Sequence, residues 1–247
     1  MEEYTKVTKQ MTIEESEDII TGESFEYDEN AHPRSIMMIR KSNGVPCPFF
    51  VESIIKILTI GNGNNPFTRR PLSQLTRERA MLFSRCIKEF PNYKILPGSS
   101  IDLFNRWIAS YRPDCSLSPR EKSLLLLEAQ CFLQAEDLLD IFQSFNGSGS
   151  LDNRSEAENF LKNTGKTWIL RHSSLQDSEY NKAYALTRLS LNGNYIHDAI
   201  VHRIGEGFFI GLTLKRGDNV NSNFSFSAEY PSIIHLLCAE VTQLTGR

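Results

Sequence analysis

The sequence predicts an α+β protein made of two small modules joined by a helical segment. Three observations point there. Apolar residues alternate with polar ones from about Trp168 to Leu212, and this strand pattern is bracketed by two stretches of helical spacing. A strongly capped, leucine-rich helical stretch fills the middle of the chain. The run Asn146-Gly147-Ser148-Gly149-Ser150 has the composition of a flexible joint. The expected divisions are an acidic leader over 1–17, a first domain over 18–92, a helical linker over 93–145 and a last domain over 151–247.

In the first domain, Ile19-Ile20-Thr21-Gly22-Glu23 reads as a short apolar turn and Phe49–Ile60 as an apolar helix. Gly61-Asn62-Gly63-Asn64-Asn65 is a loop. It lacks the lysine and spacing of a phosphate-binding P-loop. Pro66–Ser73 is a rigid turn, and an amphipathic helix is expected over about Arg77–Phe90. The stretch Ala31–Phe49 is irregular.

The middle segment has a helix over about Ile101–Tyr111, ended before Pro113. A second begins sharply: Ser118 suits the N-cap, Pro119 the first helical position, and Glu121 completes a capping box. Apolar residues then keep helical spacing from Leu124 to Phe142. No chemistry is visible here, and the segment reads as a spacer.

The last domain opens with a helix capped by Asp152 or Asn153 and stopped at Gly165. A strand follows around Trp168–Arg171, then one over Ala183–Leu189. Asn192-Gly193 is a hairpin signal. Ile196–Ile204 and Phe208–Leu212 are further strands, turned by Gly205-Glu206-Gly207, and a helix over about Ser232–Leu244 closes the segment.

Composition limits what the chain can do. The net charge of −3 is uneven, with ten acids and two lysines in residues 1–31. No block is basic enough to advertise nucleic-acid binding. No apolar run has membrane-spanning length, and the acidic N-terminus lacks a secretory signal. The five cysteines are dispersed, without C-x-x-C or zinc-finger spacing. Reduced thiols and a cytosolic location are expected, with no metal and no cofactor.

One residue demands explanation, by a ligand anion or by an internal salt bridge. Arg171 sits inside an apolar strand, where a buried cation is costly unless an anion satisfies it. Ser173, Ser174 and the loop amides around Leu175–Ser178 could donate to the same anion. His172 and His197 read as ordinary surface residues.

Together these residues resemble a Src-homology 2 domain. Its signature strand reads Phe-Leu-Val-Arg followed by Ser or Glu; here it stands as Trp168-Ile169-Leu170-Arg171-His172-Ser173-Ser174. Arg154-Ser155-Glu156-Ala157-Glu158 is similar to the family's first helix, Tyr184-Ala185-Leu186-Thr187 to its third strand, and Tyr230–Leu237 to its last helix. The resemblance implies tyrosine-phosphorylated proteins as partners, with Arg171 pairing bidentately with the phosphate. Arg154 would contact the phosphate or pack on the tyrosine ring, Ser173 and Ser174 would donate hydroxyl bonds, and Arg203 would line the ring. His202 would replace the family's pocket histidine; a one-residue shift puts Val201 there instead. The stretch Thr213–Glu229 is longer than the family's, which implies broad recognition with this loop as a lid.

The first domain resembles a U-box, the zinc-free relative of the RING domain. The motif Pro66-Phe67-Thr68-Arg69-Arg70-Pro71-Leu72 carries this resemblance, with Ile19–Glu23 as its opening turn. It implies that Ile20 and Pro66 form an apolar surface for a ubiquitin-conjugating enzyme and that Arg69 steadies the conjugated ubiquitin. Such a module has no catalytic nucleophile and acts by positioning. Two functions stay open: a ubiquitin ligase that selects phosphotyrosine proteins, or a non-enzymatic phosphotyrosine-binding adaptor. The Asn-rich loops and divergent motifs would suit a secreted bacterial effector in a host cytosol.

Overall fold

The computed structural model describes residues 17–25, 36–43, 45–91, 99–147, 149, 151–173, 181–203, 207–211, 226–241 and 244. The expected acidic leader, apart from Glu17, lies outside them. So do Ser174, the Leu175–Ser178 amides, the Gly205–Glu206 turn and most of the long Thr213–Glu229 stretch. The architecture is α+β. The chain falls into two compact units, one within Met1–Leu96 and one built from Pro97–Arg203 and Gly207–Arg247.

The first unit is a hairpin followed by two helices. Strands β1 (Ile36–Arg40) and β2 (Pro46–Phe50) pair antiparallel, Ile36 opposite Phe50. This hairpin falls in the stretch that reads as irregular. Phe49 and Phe50 end β2, so helix α1 (Val51–Thr59) is shorter than its apolar run suggests. Helix α2 (Gln74–Glu89) starts one turn earlier than expected because the Ser73 side chain accepts from the Thr76 amide as N-cap. Phe49, Val51 and Ile54 are buried with Leu75, Ala80 and Phe83 in this unit's core.

The second unit carries a five-stranded antiparallel meander, β3 (Trp168–His172), β4 (Asn181–Leu189), β5 (Tyr195–Arg203), β6 (Gly207–Gly211) and β7 (Phe226–Tyr230), in sequential order. Asn192-Gly193 turns β4 into β5, with Gly193 at φ 79°, a conformation glycine adopts without strain. Four helices join this unit ahead of the sheet: α3 (Ser99–Ala109), α4 (Pro119–Phe132), α5 (Ala135–Asn146) and α6 (Arg154–Thr164); α7 (Ile233–Glu240) follows it. The capping box of Ser118 and Glu121 opens α4 as expected, and Asn153, not Asp152, caps α6.

The helical spacing from Leu124 to Phe142 is broken in two. Leu133 is extended, and Gln134 caps α5 with its amide donating to the Asp137 carboxylate at 2.7 Å. The break lets α5 lie against the sheet. Phe142 meets Trp168 edge-on at 5.0 Å between ring centroids, and the Tyr184 hydroxyl donates to Glu136 at 2.6 Å. Phe104 of α3 lies 6.2 Å from Trp168. The segment expected as a spacer thus supplies part of the core on one sheet face.

Side chains alternate along a strand, so the register assigns the faces. Ile169, Arg171, Ala185, Thr187, His197, Val201 and Arg203 share one face; Trp168, Leu170, Tyr184, Leu186, Ile200, His202 and Phe208 share the other. Helix α6 covers the first face and α5 with α7 the second. Arg188 ties α7 down: it donates to Asp198 at 2.8 Å and to the Glu240 carbonyl at 2.7 Å.

Candidate functional site

The site of the second unit is built around Arg171. Its residue is only 7% exposed. Nε donates to the Thr187 hydroxyl at 3.3 Å, and Nη1 donates to the carbonyls of Asp152 at 3.1 Å and His172 at 3.0 Å. All three acceptors are neutral. Among the described residues no carboxylate lies within ion-pair distance of the guanidinium, and Nη2 has no hydrogen-bond partner. The alternative of an internal salt bridge therefore has no partner among these residues.

The electrostatics are those of a crowded, partly desolvated cation. Burial pushes the Arg171 guanidinium below its ordinary value, the nearby Arg154 cation adds to this, and Asp152 opposes it. Two guanidinium charges close enough to repel are the arrangement that a dianion relieves. Arg154 is exposed at the first turn of α6, where the helix dipole also favours negative charge.

The expected ligands converge only in part. Arg154 lies near Arg171. Ser173, two residues beyond it, is half-buried. Arg203 shares the Arg171 face and lies over the Phe209 ring at 4.7 Å. His202 does not converge. It points to the opposite face, is 3% exposed, and stacks on Phe208 at 4.2 Å with the rings 6° apart. The residue on the Arg171 face is Val201, the one-residue shift left open by the sequence. The bidentate expectation also narrows. With Nε and Nη1 holding protein acceptors, Nη2 is the one guanidinium nitrogen without a partner among the described residues.

Sequence reading missed the support behind Arg171. His197, taken for a surface residue, joins the Thr187 hydroxyl at 3.0 Å and the Glu158 carboxylate at 2.8 Å. Strand parity places Thr187 and His197 on the Arg171 face and was the one available signal. His172 is exposed.

In the first unit, two polar staples hold two loops. Asp18 is fully buried. One of its oxygens accepts from the amides of Ile20 at 2.8 Å and Thr21 at 3.2 Å, and the other from the Phe50 amide at 2.7 Å. This turn leaves Ile19 and Ile20 exposed. The second loop turns on Asn65, whose side chain accepts from the amides of Phe67 at 2.9 Å and Thr68 at 3.2 Å. Arg77 closes that loop by donating to the carbonyls of Leu72 and Gly63. Phe67 packs against Phe49 at 5.8 Å. Both loops are therefore anchored at the end of β2, one on Phe49 and one on Phe50. Pro66 is half-buried and Arg69 exposed, and Arg69 has φ 60°. A non-glycine residue held there is uncommon. Here the Arg69 amide donates to the Asn65 carbonyl at 2.9 Å, and the Asn65 amide to the Arg70 carbonyl at 2.8 Å.

Among the described residues no cluster of His, Cys, Asp or Glu could hold a metal ion, and no helix is long and apolar enough to cross a membrane. All five cysteines are free thiols. Compared with known proteins, the chain matches no family model, no curated protein and no solved structure.

Proposed function

We propose that the second unit binds phosphotyrosine in partner proteins, in the manner of a Src-homology 2 domain, with Arg171 as the phosphate ligand. The single observation that carries this reading is a buried guanidinium held only by neutral acceptors, with Nη2 left over and a second cation nearby. Burying an unpaired charge is unfavourable, so such a group is retained where a ligand supplies the anion. The helix–meander–helix order from α6 to α7 supports the same reading. Ser173, near Arg171 in sequence, and Arg203, on the same face, are the further ligands on this reading, and His202 is not part of the site. The opposite face at His202 and Tyr184 is filled by Phe208 and α5, which leaves little room there for residues flanking phosphotyrosine. Recognition is accordingly broad.

The first unit, on this reading, is a U-box-like module that recruits a ubiquitin-conjugating enzyme. The support is the pair of hydrogen-bonded staples that hold the loops of Ile20 and Pro66 at adjacent residues, with Arg69 in an uncommon backbone conformation beside them. The whole chain then joins phosphotyrosine proteins to ubiquitin transfer.

The test uses the full chain and paired peptides that differ only in tyrosine phosphorylation. Phosphate-dependent binding is expected; equal affinity for both peptides would end the proposal. Ubiquitin-chain formation with a panel of conjugating enzymes, wild type against Ile20→Ala, separates ligase from adaptor. Chains that Ile20→Ala abolishes are expected from a ligase. Their absence with every enzyme leaves the adaptor.

A further inference from the structure

A continuous hydrogen-bonded chain runs from the outer helix to the guanidinium. Glu158 of α6 meets His197 Nε2 at 2.8 Å, His197 Nδ1 meets the Thr187 hydroxyl at 3.0 Å, and that oxygen accepts from Arg171 Nε at 3.3 Å. With His197 neutral, donor and acceptor roles fit one arrangement throughout. A carboxylate only accepts, so Nε2 of a neutral His197 carries the proton. Nδ1 is then an acceptor and takes the Thr187 hydroxyl hydrogen. This turns the lone pairs of Thr187 toward Arg171, whose Nε–H only donates.

We propose that Glu158, His197 and Thr187 are positioning residues that aim Arg171 at the phosphate. The inference rests on the reading of Arg171 as phosphate ligand. Thr187 is fully buried, so no water competes for its hydroxyl, and a freely turning hydroxyl could point its hydrogen at Arg171. His197 removes that freedom, and Glu158 fixes the His197 tautomer. The relay holds Nε while the Asp152 and His172 carbonyls hold Nη1. A planar guanidinium fixed at both places has one direction left for Nη2. The Glu158 charge also polarises the chain, which strengthens each successive acceptor in a water-poor site.

The experiment compares full-length Thr187→Val, Thr187→Ser, Glu158→Leu and Glu158→Gln in affinity for a phosphotyrosyl peptide, with melting temperatures alongside. Nitrogen shifts of His197 report its tautomer. Thr187→Val keeps the shape and loses the acceptor, and a loss of about tenfold is expected, the usual scale for one hydrogen bond to a charged group. Thr187→Ser restores the hydroxyl and stays within about threefold of wild type on the same reasoning. Glu158→Leu weakens binding and Glu158→Gln, which keeps an acceptor oxygen, recovers most of it. The glutamate side chain is 38% exposed, so this pair decides the matter if Thr187→Val does not fold. In wild type the His197 Nδ1 is expected to be unprotonated. Wild-type affinity in folded Thr187→Val and Glu158→Leu, or a proton on Nδ1 of neutral His197, overturns the relay while phosphotyrosine binding stands. Failure of wild type itself to bind the phosphopeptide overturns both.

Discussion

Replacing Arg171 with methionine should separate binding from stability. The substitution keeps an unbranched apolar stem and removes the charged fork. In a site where the arginine is 7% exposed, truncating one member of a charge-assisted pair costs roughly 2–5 kcal/mol of binding. That corresponds to about 30- to 5,000-fold in Kd. Stability should respond differently. The free protein gains no ion pair from Arg171 among the described residues, and burial disfavours its charged form. Removing the cation relieves that burden, while it leaves the buried Thr187 hydroxyl short of a donor, at a cost of about 1–3 kcal/mol; the carbonyls of the exposed Asp152 and His172 can turn to water. These opposing effects keep the melting temperature near that of wild type. The assay is calorimetric titration of the full chain with a phosphotyrosyl peptide, paired with thermal unfolding. A folded Arg171→Met variant that binds within about threefold of wild type would refute the assignment, because a hydrogen bond to a charged group in a buried site is worth about 1.5–3 kcal/mol, roughly tenfold or more. A variant that fails to fold would refute the stability half and make Arg171 a structural residue.

Other perturbations address the rest of the structure. Phe142→Ala should lower stability by about 3–5 kcal/mol, the usual range for deleting a buried phenylalanine, because the ring lies against Trp168; denaturant unfolding measures it. A fragment beginning at Leu151 should melt well below the full chain for the same reason, since it lacks Phe142, Phe104 and the Glu136 acceptor of Tyr184. Asp18→Ala removes the acceptor of the Ile20, Thr21 and Phe50 amides; amide exchange should quicken at residues 18–21, and on the ligase reading ubiquitin-chain formation should fall. Ser118 holds the Glu121 carboxyl below its usual range through the hydroxyl and backbone bonds of the capping box. A depressed folded pKa stabilises above the unfolded value of about 4.3 and is lost as pH falls through the folded value. The melting-temperature gap between wild type and Ser118→Ala should therefore be full at neutral pH and shrink below about pH 4.

Local chemistry made much of this protein legible in its sequence. The Ser118–Glu121 box, the stop at Gly165 and the Asn192-Gly193 turn depend on a few adjacent residues, and each stands where expected. Arg171 was legible too, because a cation in an apolar strand is conspicuous at any alignment. What depends on partners distant in sequence was not. The β1–β2 hairpin lacks clean alternation because Pro46, Cys47 and Pro48 interrupt it, and only pairing with Ile36–Arg40 makes it a strand. A single periodicity hid the break at Leu133 and Gln134, since two helices against one sheet need the same apolar spacing as one. His202 was misplaced because its role turned on a register of one residue, and a one-residue step changes the face of a strand. The relay behind Arg171 joins residues 158, 171, 187 and 197. The sequence supplied a conspicuous arginine within an apolar strand. Only the packing of α6 on the sheet decided that its other donors would be held by neutral groups, because strand register and helix placement set those distances and composition does not.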